Sequence, residues 1–124
     1  MIEHIQQAYG GSGMTASITH TACLGHNMGA GHPDGPERLA AIKDRLMAAQ
    51  VFDFLNQVDA PTVSASQLAR VHPPKYIEYL ESVQPTVGTY RVDTDTAMNS
   101  GTLAAARHAA GAVVKAVDMV MHKQ

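Results

Sequence analysis

An α/β layer fold is predicted by three features of the sequence: short β-prone runs alternate with helical runs, capping signals mark where helices begin, and the order of elements is strand, loop, helix, strand, helix, helix, loop, helix. The strands are about two in number and short. Two strands make a poor parallel sheet, because such sheets need several strands and cover on both faces. The pattern therefore reads as the opening part of a larger, mostly helical α/β domain.

Each element has its own signal. Residues 1–13 (MIEHIQQAYGGSG) end in a Gly/Ser run before Met14 and read as a leader or an appended linker, leaving 14–124 as the folded segment. Ser17–Cys23 (SITHTAC) is a β-prone run and reads as a strand. Leu24–Gly35 (LGHNMGAGHPDG) is rich in glycine and carries Pro33, so it reads as a loop. A helix follows, with Asp34 as its expected cap, Pro36 in its first turn, Glu37 in capping-box relation, and Leu39, Ile42, Leu46 and Met47 at helical spacing. A second strand is expected over Gln57–Val63, cut short by Pro61. Ser64 and Gln67 form a capping-box pattern ahead of a short helix, Ala65–Val71.

After Pro73 and Pro74, Tyr76–Val83 reads as a helix. Val87–Met98 (VGTYRVDTDTAM) has strand and turn character without clean periodicity. The longest helix is expected from Thr102 to about His122, capped by Ser100, with Leu103, Ala106, Ala110, Val113, Val114, Val117 and Met121 on its apolar stripe. Its alanines widen that stripe, so this helix is expected to be covered on more than one side.

Composition narrows the function classes. A net charge of -2, no tryptophan and 5% aromatic residues give no polybasic or base-stacking surface, so no nucleic-acid partner is expected. The single cysteine, Cys23, excludes an intrachain disulfide and a cysteine-based zinc site, and reads as a small buried hydrophobe. No run is long and apolar enough for a membrane span, and a cytoplasmic protein with no membrane partner is expected.

Three motifs carry chemical information: Gly31-His32-Pro33-Asp34-Gly35-Pro36-Glu37-Arg38-Leu39, Val71-His72-Pro73-Pro74-Lys75-Tyr76, and Val92-Asp93-Thr94-Asp95-Thr96. In this order and spacing, followed by an Ala/Gly-rich helix, they resemble the N-terminal third of the histone deacetylase superfamily, nearest to its class II and bacterial amidohydrolase branches. The resemblance runs from Ile18 to about Val120. It implies an arginase/deacetylase-like three-layer parallel-sheet fold and zinc-dependent hydrolysis of an acetyl-amide, on acetyl-lysine or an acetylpolyamine. It also implies that His32 and Pro33 sit at the mouth of the substrate channel, that Asp93 is the rim aspartate, and that Arg38 lies by the inner cavity. Asp95 is the rival for the rim position, because a shift of one or two residues exchanges them. The family's Ser-Pro-Gly-Ser ahead of the helix is replaced here by Asn99-Ser100-Gly101-Thr102.

The motifs that supply zinc ligands and the His-His acid/base pair in that family do not occur in these 124 residues. Amide hydrolysis needs a metal with an open position and a general base, so the chain alone is expected to be catalytically silent and to hold no zinc. Its expected partner is either the missing C-terminal part of such a domain or a second copy of itself, through exposed strand edges or the apolar last helix. The acetylated amine would be a partner of the complete protein only. Plainer readings stand beside these. His32 next to Pro33 can simply order a loop, His72 can fix a helix start, and His20 can be a satisfied strand histidine. His108 and His122 read as helix-surface and helix-end residues, and His4 belongs to the leader. His26 and His32 could share a metal ion, and Asp93 and Asp95 could be solvated aspartates at a strand end.

Overall fold

The structure, a computed structural model, describes residues 15–122; the expected leader over 1–13 lies outside these residues. The two expected strands pair in parallel. In β1 (Ala16–Thr19) and β2 (Asn56–Asp59), Ala16 faces Asn56 and Thr19 faces Asp59. Parallel neighbours need a crossover, and α1 (Pro36–Ala48) supplies it.

Both strands stop earlier than their sequence suggests, for identifiable reasons. At the end of β1 the His20 side chain accepts a hydrogen bond from Ala22 N (3.0 Å), which starts a 3-10 turn over Thr21–Gly25 in place of further strand. After β2, Ala60 N still donates to Thr19 O (2.8 Å), but Val63 N donates to Arg107 O in the last helix (3.1 Å), so the chain has left the sheet.

The N-cap of α1 is Gly35, with no side-chain cap bond, and not Asp34 as expected; the Asp34 carboxylate faces His26 instead. Pro36 and Glu37 occupy the first turn, where a fixed φ and a negative charge both suit the helix start. The helix ends with Val51 N donating to Leu46 O and Gln50 N to Met47 O, and Gln50 has φ 62°. This is the left-handed closing turn that glycine normally occupies.

The Ser64–Gln67 capping box is formed on α2 (Ala65–Leu68), which is shorter than expected and unwinds into turns through Val71. The next helix, α3 (Pro74–Val83), starts at the second of the paired prolines rather than at Tyr76, since proline is pre-organised for a first helical position. His72 was expected to fix this start by hydrogen bonding; its ring instead lies 5.9 Å from that of Tyr76.

The segment without clean periodicity is an antiparallel hairpin, β3 (Tyr90–Asp93) and β4 (Thr96–Met98). A register irregularity between Arg91 and Asp93 explains why alternation is not visible in its sequence.

The last helix, α4 (Thr102–His122), has the expected extent, but a different face points inward. Ala105, Gly111 and Met119 are buried, and with Ala60, Val63, Ala97 and Met98 they form the core. Most of these side chains are small, so the elements approach closely. A Cβ placed on Gly111 would collide with the Pro61 carbonyl, and one on Gly101 with the Gly25 carbonyl. His108, expected on the helix surface, is part-buried: it donates from Nδ1 to Ala60 O (2.8 Å) and stacks on His20 with ring centroids 3.7 Å apart. The outer part of the expected stripe stays exposed, with Val113 at 65%, Val117 at 55% and Met121 at 72%, beside Val120 at 77%.

Two substitutions test this packing. Gly111→Ala improves intrinsic helix propensity by about 1 kcal/mol, yet the collision with Pro61 reverses the sign, and a net loss of about 1–3 kcal/mol is expected from urea midpoints. Gln50→Gly relieves the left-handed backbone at the end of α1 and should raise stability by about 1 kcal/mol in the same titration.

Candidate functional site

The glycine-rich loop between β1 and α1 runs against the hairpin and the start of α4, and four side-chain contacts tie the two together in antiparallel order. Asn99 Nδ2 donates to Gly25 O (2.9 Å), His26 Nδ1 meets Thr102 Oγ1 (2.8 Å), Ala97 N donates to Met28 Sδ (3.2 Å), and His32 Nε2 meets Asp95 Oδ1 (3.2 Å). From His26 to His32 the partner falls from Thr102 through Ala97 to Asp95, as antiparallel segments require. Gly29 (φ 112°) and Gly31 (φ 82°) take left-handed conformations that let the loop turn over at its tip.

The start of α4 is satisfied by neighbours, not by Ser100 as expected. Asn99 Oδ1 accepts from Gly101 N (3.3 Å), and Gln84 Oε1 accepts from Leu103 N (2.8 Å). Thr102 Oγ1 donates to Asn99 Oδ1 (2.9 Å), which spends its one proton. His26 Nδ1 must therefore be the donor to Thr102. Its Nε2 faces Asp34 Oδ2 at 3.4 Å.

Between this loop, β1 and α4 lies a cavity of about 490 Å³. Ile18, Ala105, Ala109 and Ala112 give it apolar walls, while His26, Asp34, Arg38 and Thr102 bring polar groups to it. Half-buried Cys23 lines it too, its Sγ 3.9 Å from Ala105 O. Arg38, exposed in the first turn of α1, stands at the edge of this open cavity. His32 does not line this cavity; its Nε2 meets Asp95 in the hairpin turn and its Nδ1 accepts from Asp34 N.

The Asp93–Asp95 turn is closely held. Asp93 pairs with Thr96 in the hairpin register, so Thr94 and Asp95 are the connecting residues. Asp93 Oδ1 accepts from Asp95 N (2.9 Å), and the Arg91 guanidinium donates to Thr94 O (3.0 Å) and Asp93 O (3.4 Å). The bond from the Asp95 backbone, then one from the Thr96 side chain, with Arg91 nearby, hold the Asp93 carboxyl below the usual carboxylate range. Asp95 faces outward, its side chain 91% exposed and touched by His32.

Of the residues singled out in the sequence, His32 and Asp95 are brought together, and His26, Asp34 and Arg38 share the cavity. His26 and His32 do not share a site, because each is engaged with a different acid. The cavity role of His26 and the link between Asn99 and Gly25 were missed; His26 recurs six residues before His32 in the loop, but spacing within a loop does not say where side chains converge. Among the described residues, no group of three or more His, Cys, Asp or Glu side chains is placed to share a metal ion. The two His–Asp pairs offer two donors each, with one imidazole nitrogen of each already bonded elsewhere. This donor set does not fit a catalytic zinc, which takes three protein ligands.

The histone deacetylase domain family matches residues 32–124, and the chain belongs to this family. It is similar to a probable deacetylase of Archaeoglobus fulgidus, with 29% identity over 113 residues, covering 90% of this chain and 31% of that protein. It is also similar to a histone deacetylase-like amidohydrolase of Pseudomonas aeruginosa, with 30% identity over 92 residues, covering 74% of this chain and 24% of that one. Among solved structures, the crystal structure of the HDA15 HD domain aligns with a TM-score of 0.67 and 26% identity over 80% of this chain and 29% of that chain. The fold is therefore the N-terminal part of a deacetylase α/β fold, and the chain spans less than a third of the length of these relatives.

The depressed Asp93 carboxyl gives a pH test. A carboxyl lowered on folding contributes stability that is fully present above its unfolded value and lost as pH falls through the lower folded value. Asp93→Asn, which keeps an acceptor for Asp95 N but loses the charge, should lower stability modestly at neutral pH and flatten the acid limb of a pH–stability curve.

Proposed function

We propose that this chain forms the N-terminal wall of a zinc-dependent deacetylase domain acting on acetyl-lysine or an acetylpolyamine. His32 and Pro33 stand at the channel rim with the Asp93–Asp95 turn, and Arg38 stands at the inner cavity. The zinc ligands and the His-His acid/base pair belong to the part of the relatives' length that this chain does not span. The observation that carries the reading is the family match over residues 32–124. The cavity that His26, Asp34, Arg38 and Thr102 line supports it, because the Arg38 guanidinium offers hydrogen-bond donors to a small acid such as acetate.

On this reading the residues present bind and position. The Arg38 guanidinium is a fixed positive charge at the cavity edge, and the outward Asp95 carboxylate is an acceptor at the rim. Zinc, when held by a complete domain, supplies the activated water. The 124-residue chain alone is inactive, and the complete protein works in the cytoplasm.

A second reading, a non-enzymatic module that associates with itself, is favoured by one observation. Val113, Val117, Val120 and Met121 leave one side of α4 apolar and exposed, and fully burying such side chains is worth about 1.5–3 kcal/mol each. A second copy is one cover for that face, and the rest of a deacetylase domain is the other.

Incubating the chain with zinc and an acetyl-lysine peptide should release acetate no faster than the peptide alone; turnover comparable to a complete family member would contradict the first reading. Light scattering addresses the second: a dimer that returns to monomer on Val117→Lys supports self-association, and a concentration-independent monomer removes it.

A further inference from the structure

We propose that His32 is a positioning residue that holds the Asp95 carboxylate at the rim, while Asp93 is the structural acid that builds the turn beneath it. The proposal rests on the channel-rim reading above and decides between the two aspartates.

Hydrogen-bond bookkeeping fixes the role of each group. Asp34 N donates to His32 Nδ1 (3.1 Å), so that nitrogen carries no proton. The proton of the neutral ring is then on Nε2, which is the atom 3.2 Å from Asp95 Oδ1. His32 therefore donates to Asp95 with one nitrogen while the loop backbone locks its orientation through the other, as a backbone partner commonly fixes an imidazole tautomer.

The two acids differ in what they have left to offer. Asp93 turns back on its own hairpin, accepting from Asp95 N and from the Thr96 side chain. Asp95 accepts from His32 alone among the bonds described, and its side chain is 91% exposed, so lone pairs remain for an outside N–H donor. The contact also joins two loops. The other three ties hold the glycine-rich loop near its base and middle, at Gly25, His26 and Met28; beyond the left-handed Gly29 and Gly31, the His32–Asp95 contact links the loop to the hairpin. Holding a long-lived acceptor in place ahead of binding lowers the ordering cost that the partner would otherwise meet.

Side-chain and imidazole resonances of the full 124-residue chain test this. Long-range proton–nitrogen spectra should show His32 as the Nε2–H tautomer, and Asp95→Ala should shift its ring signals while leaving the Tyr90–Met98 amide signals in place. Asp93→Ala should do the reverse, losing the dispersed hairpin amides. Two replacements of His32 separate positioning from bulk. His32→Asn keeps an acceptor for Asp34 N but cannot reach Asp95, so the Asp95 carboxyl carbon signal moves to its free position. His32→Gln places an amide donor near the Nε2 site and retains the signal. An Nδ1–H tautomer, an Asp95 signal unmoved by His32→Asn, or loss of the hairpin in Asp95→Ala would overturn the proposal. None of these readouts uses zinc or an acetylated substrate, so a failed deacetylase reading leaves them unchanged, and their failure leaves that reading standing.

Discussion

Close backbone approach along α4 is the constraint on which the rest of this structure depends. Gly111 lets the helix meet the Pro61 carbonyl directly, and Gly101, immediately before the helix begins, allows the same close approach to Gly25. With α4 this near, Val63 N reaches a helix carbonyl and His108 reaches Ala60 O. The segment after β2 is thereby stitched to the helix by backbone and imidazole bonds, so few large side chains are needed between them. The buried set is accordingly dominated by alanine, valine and methionine. Bulk at either glycine would push α4 outward and open the contacts that depend on its distance.

The candidate site inherits its geometry from that docking. The cavity is walled on one side by Ala105, Ala109 and Ala112 of α4 and on the other by β1 and the first turn of α1. The loop that borders it is anchored to the beginning of the same helix through Gly25 and His26. The polar groups at the cavity and the aspartate turn beside the loop are thus held by one frame, and a displacement of α4 would be felt at both. This is the physical link between a small-residue core and a site built from loop side chains.

Much of this was legible in the sequence because it depends on local chemistry. The Ser64–Gln67 capping box, the extent of α4 and the crossover helix after Pro36 follow from backbone propensities that act within a few residues. The family resemblance, carried by His32–Leu39, His72–Tyr76 and Asp93–Thr96, named the fold from motifs whose spacing is unusual. What the sequence could not display were choices settled between distant segments. Asp34 left its capping role for His26, Asn99 and Gln84 took the place of Ser100 at the start of α4, and His108 turned inward to Ala60 and His20. The inward face of α4 was misjudged for a similar reason: residue hydrophobicity pointed to Val113 and Val117, whereas close approach selected Ala105 and Gly111. The hairpin was obscured by its own register irregularity.

Membership of the histone deacetylase family and the donor set of this segment make complementary statements about where the chemistry resides. The chain offers an arginine-edged cavity, an oriented imidazole and an exposed carboxylate. A catalytic zinc takes three protein ligands, and among the described residues neither His–Asp pair has a third His, Cys, Asp or Glu beside it. Equilibrium dialysis of the 124-residue chain against zinc at neutral pH addresses this division most directly. The account predicts weak binding, well below one ion per chain at micromolar zinc, unaffected by replacing His26 and His32 together. Tight binding of one zinc per chain, lost in that double variant, would contradict it.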